Sequence, residues 1–130
     1  QRQMCIRDRI MDVGCYPLSA ARLIMGAEPL SVRAHGHLGR TGVDEWSAAL
    51  LAFEGGVSAQ IATGVSVLLD NDLKIFGSRG RIRVPNPWLC ADAEGRWSFE
   101  LARAGKAPER IEGQARPLYV LEAEHVSARI

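Results

Sequence analysis

The sequence lacks long apolar runs, an excess of charge of either sign and paired cysteines, and each absence removes a class of protein. No apolar stretch in its 130 residues approaches the ~20 needed to span a bilayer. Basic residues near the start, Gln1 to Cys5, have no apolar run behind them, so no secretory signal is read there. Sixteen basic residues against fifteen acidic ones leave a formal charge of +1. With neither sign clustered, nothing in the charge favours a nucleic acid or a membrane as partner. Trp46, Trp88 and Trp97 are spread along the chain without the basic interleaving of a nucleic-acid platform. Cysteines stand at positions 5, 15 and 90, an odd and sparse set without Cys-x-x-Cys. A small disulfide-stapled domain would show more, and in even number, so a reduced, cytoplasmic setting is expected.

Several catalytic signatures are missing as well. There is no G-x-G-x-x-G, Walker motif, G-x-S-x-G or H-E-x-x-H. Gly36, Gly39 and Gly42, and again Gly77 and Gly80, are not set between a strand and a helix, so they read as turns rather than phosphate cradles. Lysine is scarce, with only Lys74 and Lys106 beside fourteen arginines.

What remains is the composition of an ordinary globular domain, 47% apolar and 24% charged, long enough for one core. Residues 1–9 show no periodicity and are expected to be a foreign or disordered leader, with a single domain over 10–130. A helix is expected from Val13 to Met25, stopped by Gly26. Pro17 belongs in its first turn, and would bend the helix if it began near Ile10. A strand is read from Leu30 to Gly39, with Val32 and Ala34 alternating against Arg33, His35 and His37. Glu45 to Phe53 and Val57 to Leu69 read as two long strands joined at Glu54-Gly55-Gly56. In the second of these, Val57, Ala59, Ile61, Thr63, Val65 and Val67 share an apolar-packed face. Ser58, Gln60, Ala62, Gly64 and Ser66 share a small, polar one.

Leu73 to Phe76 and Arg81 to Val84 form a second hairpin, and Pro85-Asn86-Pro87 breaks the chain. Trp97 to Arg103 and Ile111 to Gln114 are expected as edge strands. Tyr119, Ala123, Val126 and Ile130 mark a C-terminal helix by their spacing. The fold class is α+β: a largely antiparallel open sheet packed by an N-terminal and a C-terminal helix.

Three groups of residues could carry chemistry. Asp12 and Tyr16, four apart, share a face if the segment is helical. A carboxylate beside a phenol could orient a substrate and exchange a proton, but on spacing alone the pair reads as a cap carboxylate and a half-buried Tyr. Cys15 reads as a small buried thiol rather than a nucleophile. His35-x-His37 puts two imidazoles on one strand face, but nothing supplies further ligands at a demanding spacing, so they read as surface histidines and no metal is expected.

The segment Met11-Asp12-Val13-Gly14-Cys15-Tyr16-Pro17-Leu18-Ser19-Ala20-Ala21-Arg22-Leu23 closely resembles the helix that opens the C-terminal domain of Gfo/Idh/MocA oxidoreductases. The resemblance runs on through Gly26-Ala27-Glu28-Pro29, Asp44-Glu45-Trp46 to Gly56, Phe76 to Ile82, and Leu121 to His125. Its Asp-x-x-x-Tyr pattern is that of the glucose–fructose oxidoreductase and dihydrodiol dehydrogenase branch, where other branches carry His at the position of Tyr16. The resemblance implies Tyr16 as catalytic acid/base and Asp12 as substrate-binding, with hydride passing between a CH–OH carbon of a sugar, polyol or diol and NAD or NADP. It also implies a homo-oligomer formed through the sheet. A phenol of ordinary pKa ~10 needs a cationic neighbour to work near neutrality. The family supplies a Lys in a Glu-Lys-Pro motif, and neither Lys74 nor Lys106 has that context. The expectation is therefore a dehydrogenase fragment, its substrate-side and dimerisation domain, inactive without a Rossmann half that binds the cofactor. The alternative is a non-catalytic assembly or regulatory module of the same fold.

Overall fold

The computed structural model describes residues 10–64, 67–89, 91–92, 94–115 and 118–128. The leader expected at residues 1–9 lies outside them. The chain divides into two compact units between Leu69 and Asp70.

The first unit opens with a π turn, Ile10–Gly14, that runs into helix α1, Cys15–Met25. Pro17 is the third residue of α1. It has no N–H to donate, and its ring crowds the carbonyl four residues back, that of Val13. Widening the preceding turn is one of the recognised ways a helix absorbs such a break, and the π turn lies there. Gly26 ends α1 in the left-handed region at φ 63°, its N–H donating to the Arg22 carbonyl at 2.8 Å.

Strands β1 (Ser31–Leu38), β2 (Asp44–Ala52) and β3 (Ser58–Gly64) follow as an antiparallel meander, in that spatial order. Between β2 and β3, Gly55 and Gly56 have φ of 73° and 75°, a backbone that side chains disfavour, as the Glu54-Gly55-Gly56 signal required. Leu18, Ala21 and Met25, spaced along one side of α1, pack on Ala49, Leu51, Phe53, Ala59 and Ile61. Leu51 is 1% exposed, and burying a leucine side chain this fully is worth about 1.5–3 kcal/mol. The predicted division of β3 holds from Ser58 to Thr63: Ala59, Ile61 and Thr63 turn inward while Ser58, Gln60 and Ala62 are exposed.

One expectation fails in this unit. Strand β3 stops at Gly64 rather than Leu69, and Val67, Leu68 and Leu69 are exposed. Its last partner is Trp46, and β2 itself reaches only two residues further, to Asp44, so Val67 to Leu69 have no β2 residue to pair with. Val65 and Ser66 lie outside the described residues. Strand β1 is exposed along its whole length, Val32 and Ala34 included, because it is the sheet edge and the α1 core lies over β2 and β3.

The second unit holds β4 (Asp72–Gly77), β5 (Gly80–Pro85), β6 (Arg96–Arg103) and β7 (Glu109–Gln114), again antiparallel and in sequence order. Only β7 of the two expected edge strands is an edge. Strand β6 pairs with β5 on one side and β7 on the other. Alternation gives this sheet two unlike faces. Leu73, Ile75, Ile82, Val84, Phe99 and Leu101 share the apolar one, where the Trp97 and Phe99 rings stack at 6.0 Å. Lys74, Arg83 and Glu100 lie side by side on the other. Helix α2, Leu118–Ser127, occupies the place of the expected terminal helix, with Ala123 and Val126 exposed; Ile130 lies outside the described residues. The α+β class with open antiparallel sheets is as expected, divided into two sheets instead of one continuous meander. Among the described residues no helix is long and apolar enough to cross a membrane.

Candidate active site

Asp12 sits in the π turn and Tyr16 is the second residue of α1, both exposed, with Tyr16 at 55%. The N-cap of α1 is Gly14, and no side chain caps it. Asp12 is therefore not the cap carboxylate that its position suggested, while Tyr16 keeps about half of its surface covered. Asp12 projects from the turn, and Tyr16 from the helix it leads into. Gly14 is buried, and a Cβ there would stand 2.7 Å from Ile10 Cγ1 and 3.3 Å from Thr63 Cγ2. A side chain there would have to displace Ile10 and press on Thr63, so the turn sits close against β3.

Beneath the turn lies a small buried polar group that the sequence reading missed. One carboxyl oxygen of Asp44, Oδ2, accepts from the Ile10 backbone N–H at 3.1 Å and from the Ser47 hydroxyl at 2.9 Å. Asp44, Ser47 and Thr63 are all buried. Ser47 and Thr63 are register partners on β2 and β3, facing the turn side of the sheet. The Thr63 hydroxyl has no hydrogen-bond partner among the described residues. The available signal was an aspartate opening an otherwise apolar strand, with hydroxyls at inward positions of that strand and the next.

The remaining described candidates, Cys15, His35 and His37, are all exposed. Cys15 is exposed rather than buried, because the first turn of α1 presents it outward; its thiol approaches the Asp12 carbonyl at 3.6 Å. His35 and His37 are exposed on β1, with the His35 ring 5.6 Å from that of Trp46. No three His, Cys, Asp or Glu side chains converge as a metal site among the described residues. Cys90 lies outside them.

A cleft of about 300 Å³ opens on the charged face of the second sheet, lined by Lys74, Phe76, Arg81, Arg83 and Glu100. Within it Arg83 is committed to Asp72 at 2.8 Å and to Glu100 at 3.4 Å. The Arg83 guanidinium, hydrogen-bonded to Asp72, holds that carboxyl below its ordinary range. Neither Asp12 nor Tyr16 borders this cleft.

Every strand pairing among the described residues is antiparallel. A dinucleotide pyrophosphate is held by a strand–glycine loop–helix unit between parallel strands, and the described residues contain none. They do not fit a nicotinamide dinucleotide by themselves.

Residues 8–83 match the model of the GFO/IDH/MocA C-terminal domain. The chain is 33% identical over 78 residues to trans-1,2-dihydrobenzene-1,2-diol dehydrogenase of Xenopus laevis, a match covering 59% of this chain and 24% of that protein. It is 31% identical over 86 residues to the NADP(+)-dependent D-xylose 1-dehydrogenase of Haloarcula marismortui, covering 61% of this chain and again 24% of the relative. The chain thus spans about a quarter of the length of these curated relatives. A solved 3-ketoreductase from Actinomadura kijaniata, in complex with NADP and TDP-benzene, superposes with a TM-score of 0.82. It is 23% identical and the match covers 98% of this chain and 41% of that one, a likeness of fold. With the family match extending over more than half of its length, the chain belongs to the GFO/IDH/MocA family, whose C-terminal domain it carries.

Proposed function

We propose that this chain is the substrate-side domain of an NAD(P)-dependent oxidoreductase acting on a CH–OH group of a sugar, polyol or diol. The observation that carries the reading is the accessible Asp12/Tyr16 pair on a turn anchored to the core. Dehydrogenases of a diol and of D-xylose among the similar proteins support the substrate class, and the NADP(+) of the second supports a nicotinamide. The hydride partner is held by sequence outside these residues, in a separate nucleotide-binding domain.

In this reading Tyr16 faces the reacting oxygen. During oxidation its Oη takes the proton leaving the substrate hydroxyl, and during reduction it returns a proton to the carbonyl oxygen. Asp12 accepts hydrogen bonds from substrate hydroxyls and fixes which carbon is presented.

The test is made on the full-length enzyme. Tyr16→Phe removes one hydroxyl and should lower kcat by roughly 10²–10⁴-fold while leaving nicotinamide affinity nearly constant. Asp12→Asn should raise KM for the substrate at least as much as it lowers kcat. Near-normal turnover of Tyr16→Phe would make Tyr16 a surface ring without a role in the chemistry.

A further inference from the structure

Resting on that reading of Tyr16, we propose that Asp44 is a positioning residue for the reaction: by holding the Ile10 N–H it fixes the π turn that carries Asp12 and leads into the first turn of α1, which carries Tyr16. The amide of Ile10 opens the helical segment, where N–H groups have no partner of their own. Asp44 reaches it from β2, across 34 residues of sequence, and the same oxygen takes the Ser47 hydroxyl, which sets the rotation of the carboxyl group. The turn is therefore tied at one end by Asp44 and seated at the other by Gly14 against Thr63. Asp12 lies between these two fixed points, and Tyr16 lies two residues past the second.

A buried polar group is a poor way to gain stability, since well-packed apolar residues serve as well or better. It does specify geometry, because a donor and an acceptor that are buried must meet each other. Geometry is what this turn requires. The π form is rare, and an α-helical alternative through residues 10–14 would rotate Asp12 relative to Tyr16. Displacements of about 1 Å at reacting groups can cost on the order of 100-fold in rate.

The deciding experiment is a mutant cycle in the full-length enzyme, with folding followed by circular dichroism. Asp44→Ala should lower kcat by about 10- to 100-fold with KM for the nicotinamide unchanged. Asp44→Asn retains an oxygen that accepts both donors and should recover kcat to within about threefold of wild type. Made in the Tyr16→Phe background, Asp44→Ala should lower kcat by less than about threefold, since the proton-transferring group is already gone, while the displacement of Asp12 still raises KM for the substrate. Equal losses of kcat in the two backgrounds would make Asp44 a structural residue, while the reading of Tyr16 would stand. Normal turnover of Tyr16→Phe would overturn both. If Asp44→Ala does not fold, Ser47→Ala takes its place, with an expected loss of kcat of roughly 2- to 10-fold that disappears in the Tyr16→Phe background. A loss that persists there overturns the proposal.

Discussion

Up to Leu69 the chain buries Ala21 of α1 against Leu51 and Phe53, whereas from Asp70 to Arg110 no described residue is fully buried. Both units are antiparallel meanders with an apolar face, and they differ in what holds them. The first has a helix across its sheet, with Arg22 paired to Glu28 at its surface. The second is laced with exposed charge: Asp72 with Lys74 and Arg83, Arg83 with Glu100, Asp92 with Arg96, Arg103 with Glu109, Arg110 with Glu112. Exposed pairs are screened by water and by side-chain entropy, so they contribute little to stability. A hydrogen bond constrains most strongly where water cannot replace it. This places the positioning contacts of Asp44 in the first unit, beside the Asp12/Tyr16 turn, and leaves the charged face of the second with no comparable group.

The contrast is most directly broken by truncating one inward side chain in each unit. Leu51→Ala should cost about 2–5 kcal/mol, the range for a fully buried leucine whose site only partly collapses. Ile82→Ala, on the half-buried apolar face of the second sheet, should cost about 1 kcal/mol. Equal losses in equilibrium denaturation would mean that the two sheets are held alike.

A smaller effect, of opposite sign, is expected at Thr63. Its hydroxyl is buried without a partner, and valine has nearly the same shape. Thr63→Val should be neutral or stabilising by up to about 1 kcal/mol, because it removes a buried polar atom that no hydrogen bond compensates. A clear fall in the melting temperature would show that the hydroxyl is satisfied in solution, and would sharpen the description of the polar group under the turn.

The smallest expected effect is on pH dependence, and it belongs to the second unit. Asp72 is held below the usual carboxylate range mainly by its hydrogen bond from Arg83, and Asp92 mainly by the backbone N–H of Arg96, with the Arg96 side chain adding to it. Folded values depressed in this way add stability that is fully present above the unfolded value of ~3.9 and is lost as pH falls through the folded ones. Acidification below about pH 4 should therefore lower the unfolding midpoint reported by a variant retaining only Trp97 more than that reported by one retaining only Trp46. Parallel titrations would remove the electrostatic side of the contrast.

Much of the fold was legible because its signals are local. Glu54-Gly55-Gly56 announced a hairpin, Gly26 a helix end, and the alternation of Ser58 to Thr63 its two faces, all of which depend on neighbours in sequence. Asp12 and Tyr16 were singled out as candidates by their spacing and by resemblance to a family, although spacing alone favoured a cap carboxylate and a half-buried Tyr. Cys15 misled because burial is not encoded in residue type: a thiol in the first turn of a helix goes wherever that turn points.

By itself, then, the sequence determined the order and kind of its elements, the hairpin turns and the positions that can face a core. Tertiary structure alone decided that β3 ends at Gly64, that β6 is an interior strand and that the meander divides into two sheets. It also decided that Asp44 reaches the Ile10 N–H 34 residues away. The physical reason is common to all four. Periodicity and turn chemistry are properties of a few consecutive residues, whereas the length of a strand, its neighbours and the partner of a buried carboxyl oxygen depend on which distant backbone arrives beside it.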